Sequence, residues 1–484
     1  DPITGEMIGG QIAYIRTCMR IPRFVAAWAR RQGKALDVDT PLPTPTGWRR
    51  IGDLVDGDEV FDEQGKPCRV VTAHPVMLDR PCYEVTFSDG ASVVCDAEHL
   101  WFVSTKESRR AKIMPLRRHT KDGVLTTAEM LRRGVVHRSG ENDFRVQLSE
   151  PVQHPERILP IPPYALGVWL GDGTSSSASF TYGSSDSVIC DLMRESGISV
   201  RAGIKDRHSN AYRAFLAFPW QGRECGRGHD RTNPANRCRT HPRQCRLCAN
   251  LAQNAKKYGR AVPPRRATFG EALIALNVRN NKHIPEPYLR ASVDQRMELL
   301  RGLMDTDGYS GKDGYAVFSQ TKERLALQVV ELLRGLGFCP ILTMKPAKIY
   351  GRVVGQYHNI GFSPLGRRVF GLQRKQARVR TTFAQRFRSQ GARSITAITA
   401  VPSRPVRCLT VDSPSRLYLC SKHFIPTHNT STRTSLYQQE QVLCPGTYWA
   451  GMLLPDHTTA YRTWEAFKQE WGGLVVDAKG DDKH

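Results

Sequence analysis

The sequence has no apolar run that approaches the length of a membrane span, and no signal peptide heads it. Acidic residues are scarce, since 46 Asp and Glu stand against 70 Lys and Arg. The 13 cysteines are an odd number and are scattered apart from one cluster. These features argue against a membrane protein and against a disulfide scaffold. We therefore expect a protein of the reduced cytoplasm.

Charge and length indicate a basic globular protein. With 484 residues, 40% hydrophobic and 24% charged, the chain is long enough for about three soluble domains. The formal net charge of +24 favours a polyanionic partner, and nucleic acid is the usual one. Residues 367–388 carry eight Lys or Arg and no acidic residue, which strengthens that expectation.

Local patterns divide the chain into five stretches. Residues 1–34 have helical spacing, and from Ala35 to about residue 150 short β-like runs alternate with turns. Longer helix-like segments fill roughly 160 to 390, and strand-like runs then return. From Thr430 onward a helix-like run precedes a buried strand. This nested order predicts one insertion inside another.

The stretch IPTHNTSTR, residues 425–433, contains groups that can break and rejoin peptide bonds. The side-chain amide of Asn429 can attack its own backbone carbonyl, which forms a succinimide and breaks the next peptide bond. His428 can polarise that carbonyl, and the Thr430 hydroxyl can carry an acyl group. The trio ends a β segment whose partner begins at Ala35, so the two ends belong to one unit.

The frame from Ala35 to Asn429 resembles an intein. ALDVDTPLPTPTGW is similar to an intein start, GASVVCDAEHLWFV to the motif whose His activates the upstream scissile bond, and VRCLTVDSPSRLYLCSKHFIPTHNT to the two terminal motifs. Most inteins start with Cys or Ser, and this one starts with Ala. Trp101, Cys408 and Thr427 resemble the residue set of class 3 inteins, which use an internal Cys as nucleophile. Trp101 and Thr427 are expected to position groups rather than to transfer protons.

The resemblance implies how the upstream junction is opened. The Cys408 thiolate attacks the Lys34 carbonyl and gives a branched thioester, while His99 assists departure of the Ala35 amine. Asp96 lies three residues before His99, where many inteins have Thr. It either holds the scissile amide or orients His99.

The same resemblance implies how the flanks are joined. Thr430 takes the acyl group, and Asn429 then cyclises with help from His428. An O-to-N shift leaves Lys34 bonded to Thr430, and no cofactor takes part. Two alternatives remain: a Hedgehog-like autoprocessing protein that cleaves without ligating, and an intein whose inserted domain only binds DNA.

Two segments of the middle region repeat one pattern. YALGVWLGDGT and LLRGLMDTDGY each form a short apolar helix with an internal Gly and a terminal acid. Gly167 and Gly302 would let the helices pack closely, which places Asp172 beside Asp307. Two such carboxylates can hold Mg²⁺ and activate water against a phosphodiester. The copies resemble LAGLIDADG homing endonucleases in single-chain form, which implies double-stranded DNA, the intein-free allele, as target. Lys282 in NNKHIPEPYL resembles a lysine of the family's next motif.

A cysteine-rich, arginine-rich insert lies between the two copies, at about residues 220–250. Its ligands have the spacing of a zinc site, with two close pairs of Cys or His. The expected zinc ligands are Cys225, His229, Cys245 and Cys248, with Cys238 and His241 as substitutes for one of them. We expect a structural Zn²⁺ in a small insert that contacts DNA.

The flanks together complete a phosphate-binding loop. Joining Lys34 to Thr430 gives AWARRQGKTSTR, in which Gly33, Lys34 and Thr430 are the expected ATP and Mg²⁺ ligands of the spliced product. The product resembles the ATPase of a phage large terminase subunit. That resemblance implies a phage or prophage origin in a bacterial cell and DNA-packaging proteins as partners, with other P-loop ATPases as alternative hosts.

The sequence thus predicts a mixed fold: an all-β splicing domain of the Hedgehog/intein (HINT) type, interrupted by an α/β endonuclease and flanked by ATPase fragments. The predicted bounds are 1–34 and 430–484 for the flanks, 35–155 and 392–429 for the splicing domain, and 156–391 for the endonuclease.

Overall fold

The computed structural model describes residues 34–113, 123–205, 211–218, 268–311, 314–349, 352–379 and 391–428. Two large apolar cores lie in this part of the chain. The first combines residues from 36 to 146 with residues from 395 to 425, and the second is formed by residues from 161 to 379. The chain therefore leaves the first core, builds the second and returns to the first. No helix in the described ranges is long and apolar enough to cross a membrane.

The first pass through the first core is mostly β. Alternating burial along strand 67–73, for example, turns Cys68 and Val70 inward. The elements are β1 (Leu36–Asp37), β2 (Pro41–Thr44), β3 (Gly47–Arg50), β4 (Glu59–Phe61), β5 (Pro67–Ala73), β6 (Cys82–Phe87), β7 (Ser92–Asp96), β8 (Leu100–Val103), α1 (Lys106–Ile113), β9 (Gly123–Thr126), α2 (Thr127–Arg133) and β10 (Arg145–Gln147), with a 3₁₀ turn at Ile51–Asp53.

The middle region alternates helices with antiparallel strands. Its elements are α3 (Pro163–Asp172), β11 (Ser179–Gly183), α4 (Val188–Glu195), β12 (Ser199–Lys205), β13 (Ala211–Ala217), α5 (Phe269–Ala275), α6 (Glu286–Leu289), α7 (Val293–Thr306), β14 (Gly308–Ser310), β15 (Ala316–Gln320), α8 (Glu323–Gly335), β16 (Ile341–Ile349), β17 (Arg352–Phe362) and α9 (Gln373–Gln376), with a 3₁₀ turn at Ser184–Asp186. Two sheets result, in the orders β11-β13-β12 and β14-β15-β17-β16.

The returning segment completes the first β unit. Its strands are β18 (Ala392–Val401), β19 (Val406–Arg407), β20 (Leu409–Val411), β21 (Leu417–Cys420) and β22 (Ile425–His428). Strands β18 and β19 enter a six-stranded sheet of order β10-β18-β6-β7-β1-β19, in which β18 pairs with β6 and β19 pairs with β1. Strand β20 pairs with β5, and β21 pairs with β22. Since two of the six strands come from the returning segment, this sheet cannot be complete without it.

Two helices interrupt the predicted all-β unit, which corrects that part of the sequence prediction. Helix α2 begins with a capping box, because the Thr126 hydroxyl accepts from the Glu129 N–H at 3.0 Å and Glu129 Oε2 accepts from the Thr126 N–H at 2.7 Å. Two orphan donors are satisfied in this way, so the chain turns helical directly after β9. The unit is β-rich, with α1 and α2 between its strands.

The first and second cores meet at helix α8. Trp48 Nε1 donates to Glu331 Oε1 at 2.9 Å, and the Trp48 ring meets Phe424 edge-on with 5.1 Å between centroids. Arg334 donates to the Lys422 carbonyl at 3.4 Å. Because Lys422 and Phe424 lie in the turn between β21 and β22, the middle region supports the last hairpin of the β unit.

Helices α3 and α7 pack at the closest distance that backbones allow. A Cβ on Gly167 would lie 2.3 Å from the Leu299 carbonyl, and a Cβ on Gly302 would lie 2.2 Å from the Tyr164 carbonyl. Both distances are far below van der Waals contact with backbone atoms that cannot swing aside. The prediction that Gly167 and Gly302 permit close packing is confirmed.

A methyl group at this crossing should therefore destabilise the middle region. In a chain kept intact by blocking splicing, we expect Gly302→Ala to lower the free energy of unfolding by about 1–3 kcal/mol, the usual cost of overpacking a core. Gly355→Ala is the matched control, because a Cβ there meets nothing within 4 Å. Urea denaturation measures both, and equal stability of the two variants would contradict the close-packing argument.

Candidate splicing and nuclease sites

The upstream junction lies inside the six-stranded sheet. Ala35 is fully buried, and the neighbouring Leu36 pairs with Cys95 on one side and with Arg407 on the other. Lys34, directly before it, is only partly buried. The Lys34–Ala35 bond thus enters the protein interior at a point where side chains from both ends of the β unit converge.

Asp96 forms hydrogen bonds with both the backbone nitrogen and the backbone carbonyl of Ala35. The Ala35 N–H donates to Asp96 Oδ1 at 3.3 Å, and the Asp96 N–H donates to the Ala35 carbonyl at 3.0 Å. Arg80 Nη2 lies 3.3 Å from the other carboxyl oxygen. Burial raises the pKa of Asp96 to about 6, although the Ala35 N–H and the Arg80 cation oppose that rise. Of the two roles left open for Asp96, this geometry favours holding the scissile amide.

His99 is fully buried between an aromatic ring and a hydroxyl. Trp101 meets it edge-on, with 4.9 Å between ring centroids and an interplanar angle of 70°. Its Nε2 shares a short hydrogen bond with the Thr427 hydroxyl. Thr427 sits on β22, paired with Tyr418 of β21, so the last hairpin reaches the motif of the upstream junction.

The environment keeps the His99 ring neutral. Burial lowers the pKa of His99 to about 3; the polar backbone of Lys34 acts in the opposite direction, and the nearby His428 lowers the pKa further. Nδ1 of His99 is buried without a well-formed hydrogen bond among the described residues. A neutral ring whose polar edge faces the Lys34 backbone is suited to contact a reacting carbonyl.

Cys408 lies against the junction. It is 5% exposed and forms a small apolar cluster with Ala35, Cys82 and Val406. Its Sγ is 3.7 Å from the Leu409 carbonyl. The fold therefore brings an internal thiol, more than 370 positions away in sequence, next to the residue that carries no nucleophile of its own.

Thr127 is a member of this site that the sequence analysis missed. Its hydroxyl accepts from Trp101 Nε1 at 3.1 Å and contacts Cys95 Sγ at 3.3 Å. Its N–H donates to the His99 carbonyl at 2.9 Å. Thr127 thus fixes both Trp101 and the backbone of His99. The capping box at Thr126 marks the helix start and is the signal that points to it.

Several predicted residues lie outside the described ranges. His428, the last described residue, is partly buried and pairs with Leu417. The remaining residues of the junctions, the phosphate loop and the zinc site are not described, so their roles stay predictions. They are Gly33, Asn429, Thr430, Cys225, His229, Cys245 and Cys248.

The two predicted nuclease acids lie at the C-terminal ends of α3 and α7, and their charges interact. Asp172 ends α3, and Asp307 follows α7 as its cap. Burial raises the pKa of Asp307 to about 6, and the charge of Asp172 raises it further. The pKa of Asp172 is also raised, mainly by desolvation, although its side chain keeps an exposed edge.

Two lysines line this acidic pair. Lys282 Nζ donates to the Gly171 carbonyl at 2.7 Å and lies over the Trp169 ring; burial lowers its pKa to about 8. Lys375, which the sequence analysis did not select, donates to the Asp305 and Gly308 carbonyls at 2.6 Å each. Both lysines lower the pKa of Asp307. Lys375 was hidden in a basic run that gives no sign of which lysine turns inward.

Asp172 and Asp307 suit a divalent cation that takes its other ligands from water and substrate. No group of three or more His, Cys, Asp or Glu side chains converges within the described part of the chain. Asp172 and Asp307 lie close enough for the charge of Asp172 to raise the pKa of Asp307. Mg²⁺ commonly takes one or two carboxylates together with waters and substrate phosphates, so this pair is compatible with it.

Comparison with known proteins supports the nuclease-like middle region. Residues 294–361 match the model of the LAGLIDADG-like domain family, which confirms the LAGLIDADG prediction for the second copy. Over 410 residues the chain is 34% identical to a protein named replicative DNA helicase DnaB from Mycobacterium intracellulare. That match covers 82% of this chain and 59% of the relative, so the chain spans less than two thirds of it.

Solved structures overlap with parts of the chain. A crystal structure of the MchDnaB-1 intein shares 47% identity over 20% of this chain and 60% of its own, with a TM-score of 0.16. A structure of mesophilic variants of the homing endonuclease I-DmoI covers 42% of this chain and 88% of its own, with 11% identity and a TM-score of 0.21. The first of these is a structure of an intein and the second of a homing endonuclease.

The predicted terminase host is wrong. The relative that matches most of the chain is named a replicative DNA helicase, not a DNA-packaging ATPase. The packaging partners and the phage or prophage origin therefore lose their basis. The error has a simple cause, because a phosphate-binding loop such as Gly33, Lys34 and Thr430 is common to many ATPases and does not distinguish between them.

Proposed function

We propose that the chain is a self-splicing precursor of the class 3 intein type, which excises residues 35–429 and joins Lys34 to Thr430. The placement of Cys408 carries this proposal. The junction begins with Ala35, which has no nucleophile, and the buried thiol of Cys408 packs against that same residue.

In the first step, Cys408 Sγ attacks the Lys34 carbonyl carbon and the Lys34–Ala35 bond breaks, which leaves a thioester. Trp101 and Thr427 hold His99 beside the Lys34 backbone. Their contacts support a positioning role for both.

In the later steps, the Thr430 hydroxyl takes the acyl group from Cys408. Asn429 then cyclises and breaks its bond to Thr430, with His428 polarising the Asn429 carbonyl. The freed Thr430 amine takes the acyl group in an O-to-N shift. The position of His428 at the end of β22, next to the His99 site, supports one shared centre for both junctions.

Mass spectrometry of the freshly expressed chain tests this function. Splicing gives two products: an excised segment of residues 35–429, and a ligated product of residues 1–34 and 430–484. Hedgehog-like processing would instead release residues 1–34 without ligation. A chain that stays intact would refute both.

We further propose that the middle region is a homing endonuclease that cuts double-stranded DNA at the intein-free allele. Asp172 and Asp307 would hold Mg²⁺, which would supply an activated water and stabilise charge on a phosphodiester. Lys282 and Lys375 are placed to balance the charge of this pair. A structural Zn²⁺ on Cys225, His229, Cys245 and Cys248 remains part of this proposal.

The flanks are proposed to belong to a replicative helicase of the DnaB type. This rests on the name of the relative that covers most of the chain. Residues 1–34 then end in the lysine of a phosphate-binding loop, and Thr430 continues it. ATP with Mg²⁺ would be the ligand of the ligated protein, at Gly33, Lys34 and Thr430.

Splicing should create the nucleotide site of the host. Before splicing, Ala35 follows Lys34, so the loop lacks the hydroxyl that holds Mg²⁺ and the helix N-terminus behind it. In the full-length host, we expect Thr430→Ala to block acyl transfer and Mg-ATP binding, while Thr430→Ser keeps both. Nucleotide titration of the splicing-blocked and spliced forms measures this, and equal Mg-ATP affinity in the two forms would contradict it.

A further inference from the structure

Different side chains lie near the Lys34 carbonyl carbon and the Ala35 nitrogen, the two atoms joined by the upstream scissile bond. Asp96 accepts a hydrogen bond from the Ala35 nitrogen, at 3.3 Å. His99 lies by the Lys34 backbone, which carries the scissile carbonyl, and its Nε2 is hydrogen-bonded to Thr427. The leaving nitrogen and the attacked carbonyl are therefore served by separate groups.

We propose that Asp96, and not His99, gives the proton to the departing Ala35 amine, while His99 acts as a neutral hydrogen-bonding group at the Lys34 carbonyl. This inference rests on the proposed splicing function and assigns the acid in its first step. It makes Asp96 a catalytic residue, since its carboxyl touches a reacting atom.

The surroundings of His99 exclude it as the acid. Desolvation keeps the pKa of its imidazolium near 3, so the ring carries no extra proton at neutral pH. A neutral imidazole is a far weaker acid than a carboxylic acid. Its Nε2 is also engaged with the Thr427 hydroxyl.

The surroundings of Asp96 suit the role. The group is fully buried and its pKa is raised to about 6 by desolvation, so a useful fraction is neutral near physiological pH. The charged groups that face it are Arg80, which lowers the pKa, and Glu98, which raises it. Arg80 therefore sets how readily Asp96 gives up its proton.

The step is balanced without any further reactant. The S–C bond between Cys408 and Lys34 forms, and the C–N bond between Lys34 and Ala35 breaks. The carboxylic acid of Asp96 gives its proton to the Ala35 nitrogen, which leaves as a free amine. The proton released by the Cys408 thiol restores the acid, directly or through solvent. The net change is transfer of the thiol proton to the amine.

This assignment predicts a distinctive dependence of rate on pH. The reactive form needs a Cys408 thiolate together with a neutral Asp96. Below about pH 6 the acid stays neutral while the thiolate fraction grows, so the rate rises with pH. Above that value each gain in thiolate is offset by loss of the neutral acid, so the rate becomes flat until the thiol itself ionises.

The experiment uses the full chain with Asn429→Ala, which blocks the downstream cleavage. Hydroxylamine cleaves the thioester and releases residues 1–34, so the rate of release is measured from pH 5 to 9. We expect Asp96→Asn to slow release on the order of 10²–10⁴-fold, the usual contribution of an acid–base group, and to remove the break near pH 6. Arg80→Gln, at a partly exposed residue, should move the break to higher pH, because a cation that lowers the pKa of Asp96 is lost.

The outcomes separate this inference from the function it rests on. If the Asn429→Ala chain shows no hydroxylamine-sensitive release that depends on Cys408, the splicing proposal itself fails. If that release occurs but Asp96→Asn keeps both the rate and the break, or Arg80→Gln leaves the break in place, Asp96 is not the acid. The Arg80 variant decides the question even where Asp96→Asn fails to fold, since a structural role for Asp96 would not shift the break.

Discussion

Cys408→Ala should abolish splicing and, with it, cleavage of the Lys34–Ala35 bond. Ala35 offers no thiol or hydroxyl, and Cys408 packs in one cluster with Ala35, Cys82 and Val406. Without its sulfur the proposed nucleophile that forms the acyl intermediate at Lys34 is lost. Electrophoresis and mass spectrometry of the purified chain should show only the full-length precursor or cleavage at the Asn429–Thr430 bond.

Cys82→Ala is the matched control. Cys82 lies in the same cluster and is 2% exposed, but its Sγ contacts the backbone carbonyls of Arg80 and Arg404. The two variants remove the same atoms from the same apolar environment, so damage to packing should be similar. Normal splicing by Cys82→Ala with none by Cys408→Ala supports the assignment, whereas splicing by Cys408→Ala would refute the internal nucleophile.

The sequence alone leads to most of the proposed splicing residues, because splicing motifs concentrate them in short stretches. His99 and Trp101 lie two positions apart, and Thr427 directly precedes His428. Likewise, the two glycines in the repeated apolar segments predicted the close crossing of α3 and α7, since backbone contact at that distance tolerates no Cβ.

The parts that the sequence missed depend on contacts between distant segments. Thr127 lies in an ordinary capping sequence, and only the fold shows its hydroxyl against Trp101. Lys375 is one of several basic residues in a run, and only packing against the end of α7 separates it from the others. The role of Asp96 was undecided because its distance to Ala35 is set by pairing across β7 and β1.

The host was missed for a different reason. The flanks contain a phosphate-binding loop, whose chemistry is shared by many ATPases, and too few other residues to identify one of them. Sequence identity over most of the chain separated the candidates where the motif did not.

Asp172→Asn combined with Asp307→Asn should eliminate Mg²⁺-dependent cutting of an intein-free DNA target and leave splicing unchanged. Both carboxylates sit at the ends of α3 and α7, in the second core, and none of the splicing residues belongs to that core. Removing both charges also removes the repulsion that raises the pKa of Asp307, so the fold of the middle region should not suffer. Linearisation of a plasmid that carries the joined flank sequence measures cutting, and mass spectrometry of the same preparation measures splicing.

A variant with the same change in charge separates a metal role from general electrostatics. Asp191 on α4 and Asp294 on α7 are exposed acids outside the carboxylate pair. Asp191→Asn with Asp294→Asn therefore raises the net charge equally, and it should keep both cutting and splicing. Loss of cutting in this control would show that neutralising any two acids is sufficient, which would remove the assignment of Asp172 and Asp307. Loss of splicing in the Asp172 and Asp307 variant would instead show that a change in the second core disturbs the first. The contact between α8 and the β21–β22 turn is one described link between them.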